Sequence, residues 1–170
     1  MNITKFEKVS LSAFKNACND LGFNLNNLEE IYQNIQLPKR ATKGSAGYDF
    51  HLPFAINLKK GDTIIIPTGI RCKMNQDLVL QIYPRSSLGF KYQLTLDNTV
   101  GIIDSDYYYA LNEGHIMIKI TNHSIQNKTL ELEHGKAFAQ GVFVKFYKTI
   151  DDEAGADVSD NGGNVKVKNG

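Results

Sequence analysis

The stretches Leu78-Val79-Leu80-Gln81-Ile82-Tyr83 and Phe138-Ala139-Gln140-Gly141-Val142-Phe143-Val144 consist mainly of apolar, β-branched and aromatic residues. Such runs are typical of β-strands that pack against a core. Similar short runs span residues 63–66, 115–121 and 129–132, and turn-forming residues interrupt the chain between them. Many short strands at close spacing, without a helical pattern between them, predict a mainly β protein with a jelly-roll or β-barrel architecture.

The N-terminal part of the chain has a different periodicity. Phe14, Cys18 and Leu21 lie four and three residues apart, and a second helical pattern runs from Leu28 to Ile35. Apolar residues at this spacing predict amphipathic helices. We therefore expect a short two-helix N-terminal extension that packs on the same domain as the barrel.

These patterns divide the chain into three parts. Residues 1–36 form the helical extension, residues 37–150 form the β-barrel, and residues 151–170 are rich in Gly, Asn and Asp. A segment with so few apolar residues does not build a core of its own. We expect it to be a flexible C-terminal arm.

Composition excludes several classes of function. Among 170 residues, 19 Lys and Arg nearly balance 18 Asp and Glu, so the net charge is +1. No global field attracts nucleic acid or an anionic membrane, and we expect neither as a partner. Cys18 and Cys72 are too few for a zinc site, and the N-terminus lacks an apolar signal core. We expect a cytoplasmic protein with reduced thiols.

The segment after the strand at residues 78–83 has the groups that bind phosphate. Pro84 ends the strand, and Arg85, Ser86 and Ser87 follow it with a guanidinium and two hydroxyls. These groups match phosphate oxygens in charge and hydrogen bonding. A plain turn with a surface arginine explains the segment equally well when it is taken alone.

A second segment combines an amide, a glycine, a carboxylate and a phenol at Asn98, Gly101, Asp104 and Tyr107. If it forms a β-hairpin, its backbone groups near Asn98 are able to read the edge of a nucleobase, and Gly101 permits close approach. A carboxylate at the end of such a hairpin is placed to take a proton from water. Turn chemistry alone also accounts for the Asp-Ser-Asp sequence.

Two further residues are candidate site residues because of the segments in which they stand. Asp49 follows the small-residue loop 41–47, and Gln140 stands next to Gly141. Taken singly, each marks only the beginning of a strand.

Together, four segments resemble the conserved motifs of the trimeric deoxyuridine triphosphatases, the dUTPases: residues 39–49, 84–89, 98–107 and 135–140. The resemblance implies a jelly-roll homotrimer whose active sites lie between subunits. It also implies hydrolysis of dUTP to dUMP and pyrophosphate with Mg²⁺, a cation that favours phosphate oxygens and retained water.

The resemblance implies a role for each matching residue. Asp104 deprotonates the attacking water, Tyr107 packs against the deoxyribose, and Asp49 organises the metal through a water. The remaining residues bind substrate: Asn98 and Gly101 contact the uracil, and Arg85, Ser86, Ser87 and Gln140 hold the phosphates.

The C-terminal segment departs from this family. The fifth motif is an arginine followed by a glycine-rich run with a phenylalanine, whereas here Gly162-Gly163 is followed by Asn164 and no arginine comes after Arg85. Two alternatives therefore stay open. One is a dUTPase-like trimer with reduced catalysis that docks another protein through its N-terminal helices, and the other is a relative of the dCTP deaminases.

Overall fold

A computed structural model describes residues 1–154 of the chain. Within them the chain forms twelve strands, three α-helices and one 3₁₀ helix. Their bounds are β1 (Lys5–Lys8), α1 (Leu11–Asp20), α2 (Leu28–Gln33), β2 (Lys39–Arg40), β3 (Tyr48–His51), β4 (Ile56–Leu58), β5 (Thr63–Pro67), β6 (Ile70–Lys73), β7 (Leu78–Pro84), α3 (Ser86–Tyr92), β8 (Leu94–Leu96), β9 (Gly101–Ile103), the 3₁₀ helix (Ser105–Tyr109), β10 (Met117–Asn122), β11 (Leu130–Leu132) and β12 (Ala137–Lys145). The mainly β prediction is confirmed. Most of the expected flexible C-terminal arm, residues 155–170, lies outside the described residues.

All strand pairs in this part of the chain are antiparallel, and they form four sheets. The largest has the order β2-β3-β12-β7-β9, and a three-stranded sheet has the order β5-β10-β8. Two further pairs are β1-β6 and β11-β4. Alternate residues of β7 and β10, such as Leu80 and Ile118, are buried in the core between the sheets. This period of two is what one buried face of a strand requires.

The N-terminal extension contains a strand in addition to the two helices. Lys5 to Lys8 pair with β6, and the ring of Phe6 lies 5.8 Å from that of Phe50 and 5.6 Å from that of Phe143, between centroids. The sequence analysis missed β1 because four residues with one partly buried aromatic give too short a pattern to identify a strand. The extension is therefore joined to the barrel by a ladder as well as by side-chain packing.

Helix α1 begins where its sequence provides a cap. The Ser10 hydroxyl accepts a hydrogen bond from the backbone N–H of Ala13 at 3.1 Å, which satisfies one of the free N–H groups of the first turn. Phe14 and Cys18 of α1 are fully buried. Burial also raises the pKa of the Cys18 thiol to about 11, so the thiol stays protonated and packs as an apolar group.

His115 is a core histidine with a specific hydrogen bond. Its side chain is 1 % exposed, and its Nε2 accepts from the backbone N–H of Gly69 at 2.8 Å. Burial lowers the pKa of His115 to about 4, because desolvation disfavours the imidazolium. Nε2 therefore stays an acceptor, and the proton of the neutral ring lies on Nδ1.

We predict that His115 makes the stability of the protein pH-dependent between about pH 6.5 and pH 4. In this range the unfolded chain binds a proton that the folded chain rejects, so the free energy of unfolding falls by about 2–3 kcal/mol as the pH is lowered. In His115→Gln, the amide oxygen keeps an acceptor for Gly69 but does not titrate. Urea denaturation at pH 7 and pH 4.5 should show a smaller pH effect in this variant, whereas the exposed His123→Gln control keeps the wild-type effect. Equal pH effects in wild type and His115→Gln would contradict the assignment.

Candidate active site

Three strands bring one group of predicted site residues together. In the ladder, Gln140 on β12 lies between Asp49 on β3 and Tyr83 on β7. Asp49 Oδ1 lies 3.6 Å from Nε of Arg85, and the Gln140 amide donates to the carbonyl of Pro84 at 3.2 Å. We call Asp49, Arg85 and Gln140 with the adjacent Ser86 and Ser87 the phosphate end of the sheet, after the role that the sequence implies.

The two serines lie at the start of α3. Ser86 and Ser87 are exposed, and Arg85 is the residue that precedes the helix. Arg85, its side chain 41 % exposed, therefore lies beside two hydroxyls, and an anion is able to accept hydrogen bonds from the guanidinium and from both hydroxyls.

The electrostatics of this end are set by a carboxylate among cations. Burial lowers the pKa of the neighbouring His51, the nearby Lys39 and Arg85 lower it further, and Asp49 opposes them. His51 is therefore neutral at pH 7. The charges that an incoming anion meets here are Arg85, Lys39 and the opposing Asp49.

The loop before β3 approaches Gln140 closely at Gly47. A Cβ added to Gly47 would lie 2.5 Å from the Gln140 amide oxygen, whereas one added to Gly44 in the same loop meets nothing within 4 Å. Arg40 holds this loop by donating from Nη1 to the carbonyls of Lys43 and Ser45 at 2.8 and 3.0 Å. The sequence analysis missed the role of Arg40. Its rarity, as one of three arginines, was the available signal.

The segment around Asn98 is a turn between two sheets, so the predicted β-hairpin is wrong. Strand β8 pairs with β10, whereas β9 pairs with β7. Thr99 adopts φ +70° and its N–H donates to the carbonyl of Leu96 at 3.0 Å. Asn98 is exposed at this turn, and Gly101 begins β9 in a buried position.

Asp104 and Tyr107 follow β9 at its other end. The Asp104 side chain is exposed, and the residue precedes the 3₁₀ helix that includes Tyr107. Tyr107 is 8 % exposed, and its hydroxyl donates to the carbonyl of His115 at 2.8 Å. Asn112 donates to the same hydroxyl at 2.8 Å. The phenol is thus fixed from two sides, while the carboxylate faces solvent.

The two groups of residues lie at opposite ends of β7. Gly101 stands opposite Ile82, and Ile103 stands opposite Leu80. Asp104, the next residue, therefore lies at the level of residue 79 along β7. Arg85 follows the far end of the same strand. Six residues at about 3.3 Å each separate the two levels by roughly 20 Å. One chain therefore separates the two groups of predicted site residues.

Comparison with known proteins shows the family of the chain. The family model described as dUTPase matches residues 33–164. A deoxyuridine 5'-triphosphate nucleotidohydrolase from Lactococcus lactis is 39 % identical over 120 residues, which are 70 % of this chain and 79 % of that protein. One from Pectobacterium carotovorum is 43 % identical over 117 residues, 67 % of this chain and 72 % of that one.

Solved structures give the same result. The dUTPase from Streptococcus mutans has a TM-score of 0.63 at 34 % identity, covering 85 % of this chain and 97 % of that chain. A mutant dUTPase of phage phi11 of S. aureus, described for its coordination of a structural Mg(II) ion, has a TM-score of 0.64 at 19 % identity, over 90 % and 97 % of the two chains. The chain therefore has a dUTPase-type β fold, and it belongs to the dUTPase family.

We predict that Gly47→Ala weakens substrate binding without destabilising the fold. The new methyl group displaces the end of the flexible Gln140 side chain, so the amide leaves the phosphate end while the backbone is undisturbed. We expect the KM for dUTP, the substrate that the sequence resemblance implies, to rise about tenfold, the effect of one lost or misplaced polar contact. Gly44→Ala is the matched control and should keep the wild-type KM. A normal KM in Gly47→Ala would show that Gln140 has no part in binding.

Proposed function

We propose that this protein is a dUTP diphosphatase, which hydrolyses dUTP to dUMP and pyrophosphate. The observation that carries the proposal is the position of the predicted residues: Asp49, Arg85 and Gln140 lie together at one end of β7, and an exposed Asp104 stands at the other end. The curated relatives described above are named as deoxyuridine 5'-triphosphate nucleotidohydrolases. Both lines support the same chemistry.

In the proposed reaction, the oxygen of a water molecule attacks the α-phosphorus of dUTP. The Asp104 carboxylate takes the proton of this water, and the bond from the α-phosphorus to the bridging oxygen breaks. Pyrophosphate leaves with the electron pair of that bond. A positioned general base of this kind contributes about 10²–10⁴-fold to the rate.

The remaining site residues bind the two ends of the substrate. Arg85, Ser86, Ser87 and Gln140 supply donors for the phosphate oxygens, and charge-assisted donors of this type are the stronger ones. The exposed turn at Asn98 supplies polar groups for uracil, and a pocket that pairs with one base leaves its groups unpaired with another. Specificity for uracil therefore depends on the turn, and affinity depends mainly on the phosphate end.

The donor chemistry of the phosphate end fits a Mg²⁺ ion that the substrate helps to hold. Asp49 offers one carboxylate whose side chain is 21 % exposed. Mg²⁺ is commonly bound by one or two carboxylates, retained waters and substrate phosphates, so Asp49 holds it through a water. When bound, the ion supplies positive charge to the phosphate oxygens.

We propose a homotrimer in which each active site combines residues of two or more chains. A triphosphate held at the phosphate end of one chain needs the Asp104 of a neighbour, because the Asp104 of its own chain leaves the sheet roughly 20 Å away along β7. Phe90 on α3 and Tyr147 after β12 are 86 % and 88 % exposed. Aromatic side chains in such positions are typical of surfaces that another subunit covers.

The alternatives are less well supported. The apolar face of α1, with Phe14 and Cys18, is buried in the chain's own core, so a partner of this helix has mainly its polar face to bind. A dCTP deaminase relative needs a glutamate base, whereas the third motif offers Asp104.

The part of the chain described here contains no helix of the length and apolarity that a membrane span needs. A cytoplasmic location and the absence of nucleic acid partners stay predictions.

Pyrophosphate release from dUTP tests the proposed activity. In the presence of Mg²⁺, we expect the protein to release much more pyrophosphate from dUTP than from UTP, dTTP or dCTP. Asp104→Asn keeps the shape of the side chain but removes the base, and kcat should fall by about 10²–10⁴-fold. Asp106→Asn, next to the site, is the matched control. Release of ammonia from the nucleotide, or full activity in Asp104→Asn, would contradict the proposal.

Complementation between two inactive variants tests the shared site. Arg85→Ala and Asp104→Asn are each expected to be inactive alone. When equal amounts are unfolded together in urea and refolded, random trimers should recover about a quarter of the wild-type activity, because each mixed trimer regains one intact site of three. If both residues act within one chain, the mixture stays inactive.

A further inference from the structure

The orientation of Tyr107 depends on the turn at residues 112–115. The carbonyl of His115 and the amide of Asn112 both contact the Tyr107 hydroxyl, each at 2.8 Å. Asn112 is itself fixed, because its side-chain oxygen accepts from the backbone N–H of Gly114 at 3.1 Å. Any shift of this turn therefore moves the partners of the phenol.

The backbone of the turn is held in an uncommon conformation. Glu113 adopts φ +63° and Gly114 adopts φ +70°. A side chain at Gly114 would place its Cβ 2.6 Å from the Tyr107 carbonyl oxygen, so glycine is required there. Glu113, however, is a residue with a side chain in the left-handed region, which persists only when surrounding contacts hold it.

The hydrogen bonds that hold the side chain of Glu113 come from the N-terminal extension. The backbone N–H of Ser10 donates to Oε2 of Glu113 at 2.7 Å, and the Ser10 hydroxyl donates to Oε1 at 2.6 Å. These hydrogen bonds lower the pKa of Glu113, with the hydroxyl contact as the largest cause, so the carboxylate is ionised at neutral pH. We call this pair of contacts the Ser10–Glu113 clamp.

The clamp joins the active-site segment to a part of the chain outside the family match. The dUTPase family model begins at residue 33, whereas Ser10 caps α1 and follows the strand β1. A second contact supports the same junction, since the Tyr108 hydroxyl donates to Oε2 of Glu7 at 2.6 Å. The extension is therefore tied both to the turn and to Tyr108, the residue that follows Tyr107.

We propose that Glu113 is a positioning residue that sets the selectivity for deoxyribose over ribose, by fixing the turn that orients Tyr107. The inference rests on the proposed function, in which Tyr107 packs where a 2′-hydroxyl would lie. A rigid phenol excludes that hydroxyl, and a phenol whose turn has loosened makes room for it. Glu113 acts on the sugar site only by positioning Tyr107. Its loss therefore affects the selectivity for deoxyribose over ribose more than it affects the chemistry at Asp104.

The test compares kcat/KM for dUTP and UTP in Glu113→Ala, Glu113→Gln and wild type. In Glu113→Ala we expect the dUTP-to-UTP ratio to fall about tenfold, the scale on which small misplacements of positioning residues act. Glu113→Gln retains an acceptor for the Ser10 N–H and should restore most of the ratio. Glu30→Ala, an exposed carboxylate on α2, controls for the loss of a surface charge and should match wild type.

A second pair of variants separates the clamp from helix capping. Ser10→Asn and Ser10→Asp both provide a good N-cap for α1, but only Asp places a negative charge against the Glu113 carboxylate. We expect Ser10→Asp to lower the dUTP-to-UTP ratio and Ser10→Asn to keep it. This pair answers the question even if Glu113→Ala does not fold.

The outcomes distinguish this inference from the function on which it rests. If wild-type protein releases no pyrophosphate from dUTP, the proposed function fails. If wild type is selective but Ser10→Asp and Glu113→Ala leave the ratio unchanged, or lower both kcat/KM values by the same factor, the clamp is merely structural and the inference is overturned.

Discussion

The ladder between β7 and β12 is the constraint on which the rest of the molecule depends. Seven residue pairs join the two strands, from Ala139 opposite Pro84 to Lys145 opposite Leu78. The same β12 pairs on its other side with β3, so one strand sets the positions of Gln140, Asp49 and Arg85 relative to one another. Gly141 permits the tight packing beside them, since a Cβ there would lie 2.9 Å from Leu80 and 3.0 Å from Phe50.

This ladder also explains why the functional residues are divided. Antiparallel neighbours run in opposite directions, so residues that follow β7 and residues that follow β9 leave the sheet at opposite ends. The fold thus places anion-binding groups at one end and the exposed Asp104 at the other. Under the proposed function, a site that needs both is completed by association, and the exposed aromatic residues on α3 and after β12 suit that association.

Sequence reasoning succeeded where the information is local. Apolar runs predicted the long strands, and helical spacing predicted α1. It failed at the Asn98 turn, because turn-forming residues indicate a change of direction but not which strands pair afterwards. It also missed β1, which is short, and the Ser10–Glu113 contact, which joins residues 103 positions apart. For the site, the resemblance of four motifs predicted the residues, whereas the division of these predicted residues between two ends became visible only in the strand register.

The position of β12 has a consequence for biogenesis. This strand lies in the middle of the five-stranded sheet, yet it is the last strand of the described chain to be synthesised. While the ribosome is still adding residues, β3 and β7 have emerged with unpaired edges that are able to pair wrongly with other nascent chains. The sheet closes only after residues 137–145 leave the exit tunnel, so Asp49, Arg85 and Gln140 come together only when β12 pairs with β3 and β7.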